Sequence, residues 1–262
     1  MPAIETEGLR KAYGDLVAVD DLELSVDRGE LFGLLGPNGA GKSTTIGVLT
    51  GQLAPDAGRA RVLDSDPVAD PVATRRHVGI LPEGESPPSF LTPREYFQFV
   101  GTVRGLDDAT VTERADAWVD RLAFREKLET LCTDLSRGQQ QKVMVAAAFL
   151  HEPELVFIDE PLANLDPIVQ ERVRRFLVGF VESGSTVFLS THHVEVAEAI
   201  CTRVGILDRG RLVDTVDPAS LAPDESLLDV FLETVGDGSS GASDGAERRA
   251  AADGGTGGST GP

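Results

Sequence analysis

The sequence predicts an α/β fold: a parallel-sheet core, an antiparallel β layer at the N-terminus and an inserted helical block. Three observations predict it. The stretch GPNGAGKST, Gly36 to Thr44, lies between an apolar run and a helical pattern. Beyond Leu135 helix-like and strand-like segments alternate, which implies parallel strands joined by crossovers. Up to Val26 apolar and polar residues roughly alternate, as in strands with one wet face.

In order, residues 3–13 and 16–26 form the antiparallel layer, with Leu22, Leu24 and Val26 on one face. The run Leu31, Phe32, Gly33, Leu34, Leu35 is a buried strand. Gly36, Gly39 and Gly41 then let the chain turn with its amide hydrogens inward, and a helix over 42–49 adds its positive N-terminal end. Gly36, Pro37, Asn38, Gly39, Ala40, Gly41, Lys42, Ser43 and Thr44 thus form a polyphosphate cradle. In it Lys42 reaches the β and γ phosphates, Ser43 ligates the magnesium that bridges them, and Thr44 supports the loop.

Residues 59–63 add to the β layer after the turn residues Pro55, Asp56 and Gly58, and 77–81 form another short strand before the loop PEGESPPSF. Thr92, Pro93 and Glu95 supply an N-cap, a first-turn proline and a capping-box acid, and Tyr96, Phe97, Val100 and Val103 line that helix. A second helix over 109–122 carries Val111, Ala115, Trp118 and Leu122 at helical spacing, so the insertion covers about 86–134. Then come helix 139–150, strand 155–159, helix 167–181 and strand 185–190. A hairpin pairs 204–207 with 212–215 around Asp208-Arg209-Gly210, and a last amphipathic helix carries Leu227, Leu228, Val230 and Phe231. The folded body is 1–235; residues 236–262 are Gly, Ser, Ala and Asp without periodicity and are expected to be disordered.

The net charge is −19, with four lysines against twenty arginines, and the segment beyond Gly236 accounts for only two units of it. Such a surface repels nucleic acid and suits a salt-rich, halophilic cytosol where charge is screened within a few ångströms, although an ordinary acidic protein fits too. No apolar run approaches the ~18 residues needed to cross a bilayer, and MPAIETEG carries neither a basic region nor an apolar segment. A membrane role would require a separate spanning partner. Cys132 and Cys201 lie far apart without metal-ligand spacing and read as free thiols of a reducing cytosol.

Residues 155–158 form an apolar strand ending in Asp159 and Glu160, which delivers two carboxylates to the C-terminal edge where parallel sheets bind ligands. Asp159 fits the magnesium shell through water, and Glu160 is placed to polarise the water that attacks the γ phosphorus. A plainer role, one acid capping the next helix, also fits. In LSRGQQQKV, Ser136 reads as an N-cap with Gln139 as its capping-box partner.

Here the chain resembles the nucleotide-binding subunits of ABC transporters, whose signature LSGGQ is matched except that Arg137 replaces the first glycine. The motifs follow the family's order over nearly all of residues 3–235. The resemblance implies a P-loop NTPase (RecA-like) core that binds ATP and Mg2+. It also implies that Ser136, Gly138 and Gln139 act in trans, so that two copies sandwich two ATP molecules. Tyr13 matches the aromatic that stacks on adenine, though a core role also fits; Leu165-Asp166-Pro167 matches the D-loop and equally a helix cap; His192 matches the switch histidine. His193, His77 and His151 match nothing and read as structural or surface residues. Glu83 stands where many members carry the Q-loop glutamine; its carboxylate can bind magnesium through water, so coupling is expected to survive with altered metal dependence. STTIGVLTG and LLDVFLETVG look like the exporter branch that pairs with small permeases, and Pro87, Pro88, Phe90 and Leu91 lie where the family receives a coupling helix; an exposed apolar strip would suit that role, and loop residues tucked onto the helical block fit as well. The implied protein is a cytoplasmic ATPase subunit, peripheral on the inner face of the membrane, that powers a separate permease. The alternative is a soluble ATPase of the same fold acting in DNA maintenance or translation.

Overall fold

The computed structural model describes residues 1–160, 165–222 and 224–240, with side chains to Gly236. Two sheets organise it. β1 (Ile4–Tyr13), β2 (Leu16–Val26) and β4 (Ala57–Val62) form an antiparallel sheet in the order β2-β1-β4. The second sheet runs β5 (Val78–Leu81), β6 (Leu155–Asp159), β7 (Thr186–Thr191), β3 (Leu31–Leu35), β8 (Arg203–Asp208), β9 (Arg211–Val216). Its pairings are parallel from β5 to β8, and β9 adds antiparallel through the Arg209-Gly210 turn, both of whose residues have positive φ. Strands β3, β6 and β7 are buried along their whole length, which is why they read as apolar runs rather than as alternating ones.

One core lies between the two sheets, where Phe32 stacks on Phe188 with ring centroids 5.6 Å apart and Leu9, Leu22 and Phe157 close the gap. The other joins the parallel sheet to the helical block. Trp118 packs against Phe149 at 5.3 Å and edge-on to Phe176 at 4.6 Å, which locks α4 (Asp108–Leu122) onto α5 (Arg137–Phe149) and α6 (Pro167–Glu182). Both cysteines are free and buried here.

The helix starts are set locally. Thr92 and Glu95 form the expected capping box on α3 (Pro93–Arg104), and Ser136 and Gln139 form the one on α5. The sequence reading placed the starts of α4 and α5 one and two residues late, and it missed α2 (Pro71–Arg76), although Asp70 and Pro71 supply its N-cap and first-turn proline. Two further corrections concern surfaces. Of the expected apolar strip only Phe90 faces solvent, at 76 % exposure; Pro87 is buried, and Pro88 and Leu91 are half-buried against the helical block. The last helix, α8 (Leu227–Ser240), continues four residues past the Gly236 boundary, and the rest of the expected disordered tail lies outside the described residues.

Candidate active site

β3 ends at Leu35 in the middle of the parallel sheet, and the arch from Gly36 to Gly41 carries the chain over the sheet edge into α1 (Lys42–Leu49). Neighbouring backbone dictates its glycines. A Cβ at Gly36 would stand 2.3 Å from the Leu207 carbonyl oxygen, and one at Gly41 (φ +108°) would stand 2.1 Å from that of Ala18. The arch is also tied down from the side, because the Gly210 amide donates to the Ala40 carbonyl (2.8 Å) and the Ala40 amide to that of Pro37 (3.1 Å). Lys42 is buried and its Nζ donates to the carbonyls of Gly36 (2.8 Å) and Pro37 (3.2 Å), so the ammonium sits inside the arch. Burial lowers its pKa, and the charges of Glu160, Asp159 and Glu83 oppose that shift.

A cavity of about 430 Å³ opens on this arch. Asn38, Gly39, Gly41, Lys42, Ser43 and Thr44 line it from below. Tyr13 stands at its mouth, 48 % exposed, with the Lys11 ammonium 5.8 Å from its ring centroid; the ring is free to stack rather than part of the core. Glu83, Asp159 and Glu160 supply carboxylates to the walls, so the residues read from the sequence as nucleotide and metal ligands do converge. Gly36, Pro37 and Ala40 form the arch itself.

The two acids at the end of β6 are held differently. Asp159 pairs with Ser190 in the parallel register of β6 and β7, and the Ser190 hydroxyl donates to its carboxylate. Glu160 takes a left-handed backbone (φ 52°), fixed by its amide donating to the Ser190 carbonyl at 3.0 Å. That turn swings its side chain under His192: its carboxylate accepts from the Thr191 hydroxyl (3.1 Å) and the His192 amide (3.0 Å), and lies 2.6 Å from His192 Nδ1. A non-glycine residue held this way costs of order 1–3 kcal/mol, and here the strained backbone points the carboxylate at Thr191 and His192. Helix capping by Glu160 is not what the structure places there, because Asp166 caps α6, accepting from the Val169 amide at 3.1 Å. Asp166 also approaches Lys142 of α5 at 3.9 Å.

Ser136, Gly138 and Gln139 sit at the N-terminus of α5, Ser136 exposed and the other two half-buried, and are not among the residues that line this chain's own cavity. Sequence reasoning missed four contributors. Leu16 and Ala18 of β2 form the wall beside Tyr13, and Ser190 and Thr191 hold the two acids. It also set His193 aside, whereas the ring of that residue lies 4.1 Å from His192's and its amide donates to Thr191. The run of hydroxyls and imidazoles in STHH, at a strand end, was the available signal. His151 is structural as read: it contacts the Val78 carbonyl at 3.2 Å, and burial pulls its pKa down to about 4.

Comparison with known proteins matches this geometry. The family model described as ABC transporter covers residues 19–163. Nod factor export ATP-binding protein I of Ralstonia nicotianae is 35% identical over 236 residues, covering 90% of this chain and 73% of that protein. The daunorubicin/doxorubicin resistance ATP-binding protein of Streptomyces peucetius is 36% identical over 211 residues, covering 80% of this chain and 64% of the relative. A solved ATP binding subunit of an ABC transporter superposes with a TM-score of 0.82 at 30% identity, over 88% of this chain and 99% of that one. A dimeric ATP-binding cassette bound to ADP and Pi has the same fold, with a TM-score of 0.76 at 22% identity, over 83% of this chain and all of that one. With the arch and the acid pair on one cavity and His192 against Glu160, the chain belongs to the ABC transporter family, as one of its ATP-binding subunits.

Proposed function

We propose that the chain hydrolyses ATP as the motor subunit of an exporter, working on a separate membrane permease and closing as a homodimer around two ATP molecules. The observation that carries the reading is the convergence of the phosphate arch, Asp159 and Glu160 on one cavity. The arch amides and Lys42 bind the phosphates, and Tyr13 stacks on the base. Glu160, already oriented by Thr191 and His192, takes the proton of the attacking water. Ser43, Asp159 and Glu83 would hold Mg2+, since hydroxyl and carboxylate oxygens are the hard donors it prefers and all three line the cavity. The bound ion would neutralise charge on the transferring phosphate. Exposed Ser136, with half-buried Gly138 and Gln139 behind it at the start of α5, completes the site of a second copy, and Asp166 links the two sites.

Export follows from the relatives, named for Nod factor export and for drug resistance. Among the described residues no helix is long and apolar enough to cross a membrane, which suits a peripheral subunit on the cytoplasmic face, with exposed Phe90 toward the permease. The test is extraction from the native membrane in mild detergent. The protein should carry an integral membrane protein with it and release phosphate from MgATP; turnover without such a companion would favour a soluble ATPase.

We also read the charge of −19 as adaptation to salt. Melting temperature should therefore rise with KCl as self-repulsion is screened, and a midpoint that falls from low to molar KCl would contradict the reading.

A further inference from the structure

We propose that Glu160, His192 and His193 form a second cation site, specific for a borderline transition ion such as Zn2+, and that an ion held there stops hydrolysis. Its effect on turnover rests on the role given above to Glu160; the binding does not.

The three side chains each offer one donor atom, and these atoms lie within 4.8 Å of one another. Glu160 Oε1 and His192 Nδ1 are 2.6 Å apart, and the two imidazole rings are 4.1 Å apart at 37°. Donors on one tetrahedral ion with bonds near 2.0–2.1 Å stand about 3.3 Å from each other. The donor atoms, 2.6 Å apart for Glu160 and His192 and none more than 4.8 Å apart, stand within about 1.5 Å of that spacing, so a small rotation of the exposed imidazoles closes the set.

Donor chemistry decides which ion. Two imidazoles and one carboxylate suit Zn2+, Ni2+ or Cu2+, whereas Mg2+ takes oxygen donors and keeps its waters. The site is therefore chemically distinct from the oxygen set of Ser43, Asp159 and Glu83. Three protein ligands leave the fourth position to water.

Access and field favour occupancy. The histidines are exposed while Glu160 is buried, so an ion enters from solvent and meets the carboxylate last. Glu83, Asp159 and Glu160 around Lys42 leave the cavity with an excess of negative charge. His193 has no other visible duty for its ring: it occupies the N-cap position of α7 (Val194–Ile200) without a side-chain cap bond. A metal on Glu160 would occupy the oxygen lone pair that accepts a proton from water and would immobilise His192 beside it.

Zinc binding is measured on the nucleotide-free protein, because ATP itself chelates the ion, by competition against a chromophoric zinc chelator. The wild type should take up one Zn2+ per chain, and His193→Ala should weaken binding at least tenfold, as loss of a ligand does at least what loss of an outer partner does. His193→Gln repeats the test without a cavity, and His77→Ala, which removes an imidazole 3.3 Å from Glu154 elsewhere on the surface, should change nothing. With MgATP present and free zinc buffered to micromolar levels, zinc should inhibit the wild type and spare His193→Ala, each compared with its own rate in the absence of zinc. Equal zinc affinity in wild type and both His193 variants overturns the site, and undiminished turnover with the site filled overturns its inhibitory effect. If no protein hydrolyses ATP, the ATPase reading fails while the affinity difference still decides the site.

Discussion

Glu160→Gln should lower ATP turnover by about a hundred- to ten-thousand-fold, or ~3–5 kcal/mol of barrier, while leaving nucleotide binding intact. The amide has no basic oxygen to take a proton from water, yet its carbonyl can still accept from the His192 amide and its NH2 can face the Thr191 hydroxyl. The strained backbone at φ 52° and the bond from the Glu160 amide to Ser190 are untouched, so the fold persists. A variant that binds ATP without consuming it should accumulate as the closed dimer. Light scattering after size exclusion, with and without MgATP in high KCl, reads this directly: the variant should double its mass with nucleotide, and the wild type should return to monomer as ATP is spent. Turnover above a tenth of wild type would remove Glu160 from its role as base. A variant that stays monomeric in saturating ATP would remove the sandwich.

Gly41→Ala should abolish nucleotide binding and cost about 2–5 kcal/mol of stability. Two penalties add there: a left-handed φ of +108° that side chains rarely adopt, and a Cβ placed 2.1 Å from the Ala18 carbonyl oxygen of β2. Relief requires the arch and β2 to move apart, which opens the wall of the cavity. At about 2–4 °C per kcal/mol for a domain of this size, the midpoint should fall by roughly 4–20 °C. Gly39→Ala is the control, because Gly39 also has a positive φ (+82°) but nothing within 4 Å of its would-be Cβ. It should cost about 1 kcal/mol. Equal losses in the two variants, by calorimetry and fluorescent-nucleotide titration, would show that backbone strain rather than the approach of Ala18 sets the requirement.

The features legible beforehand share a property: their chemistry is complete within a few consecutive residues. The arch needs glycines at set spacing, and the caps of α3, α5 and α6 need an oxygen three residues before an amide. The acid pair needs only the end of an apolar strand. Elements defined by short polar stretches fared worse. α2 is six residues long, too short for a period to emerge, and its signal was the single pair Asp70-Pro71. The loop 87–91 carries apolar residues whose direction no local pattern encodes, and Pro87 turned inward where an exposed strip was expected.

By itself the sequence determined the parallel core, the phosphate arch and the identity of the acids, because glycine placement, capping and apolar runs act through neighbouring backbone. Only the tertiary structure decided which residues serve them. The sheet order β6-β7-β3 brings Ser190 and Thr191 to Asp159 and Glu160 across 31 residues of chain, and β2 brings Ala18 over Gly41. Strand order and register arise from burying both faces of the sheet at once, a global requirement that no local stretch of residues encodes.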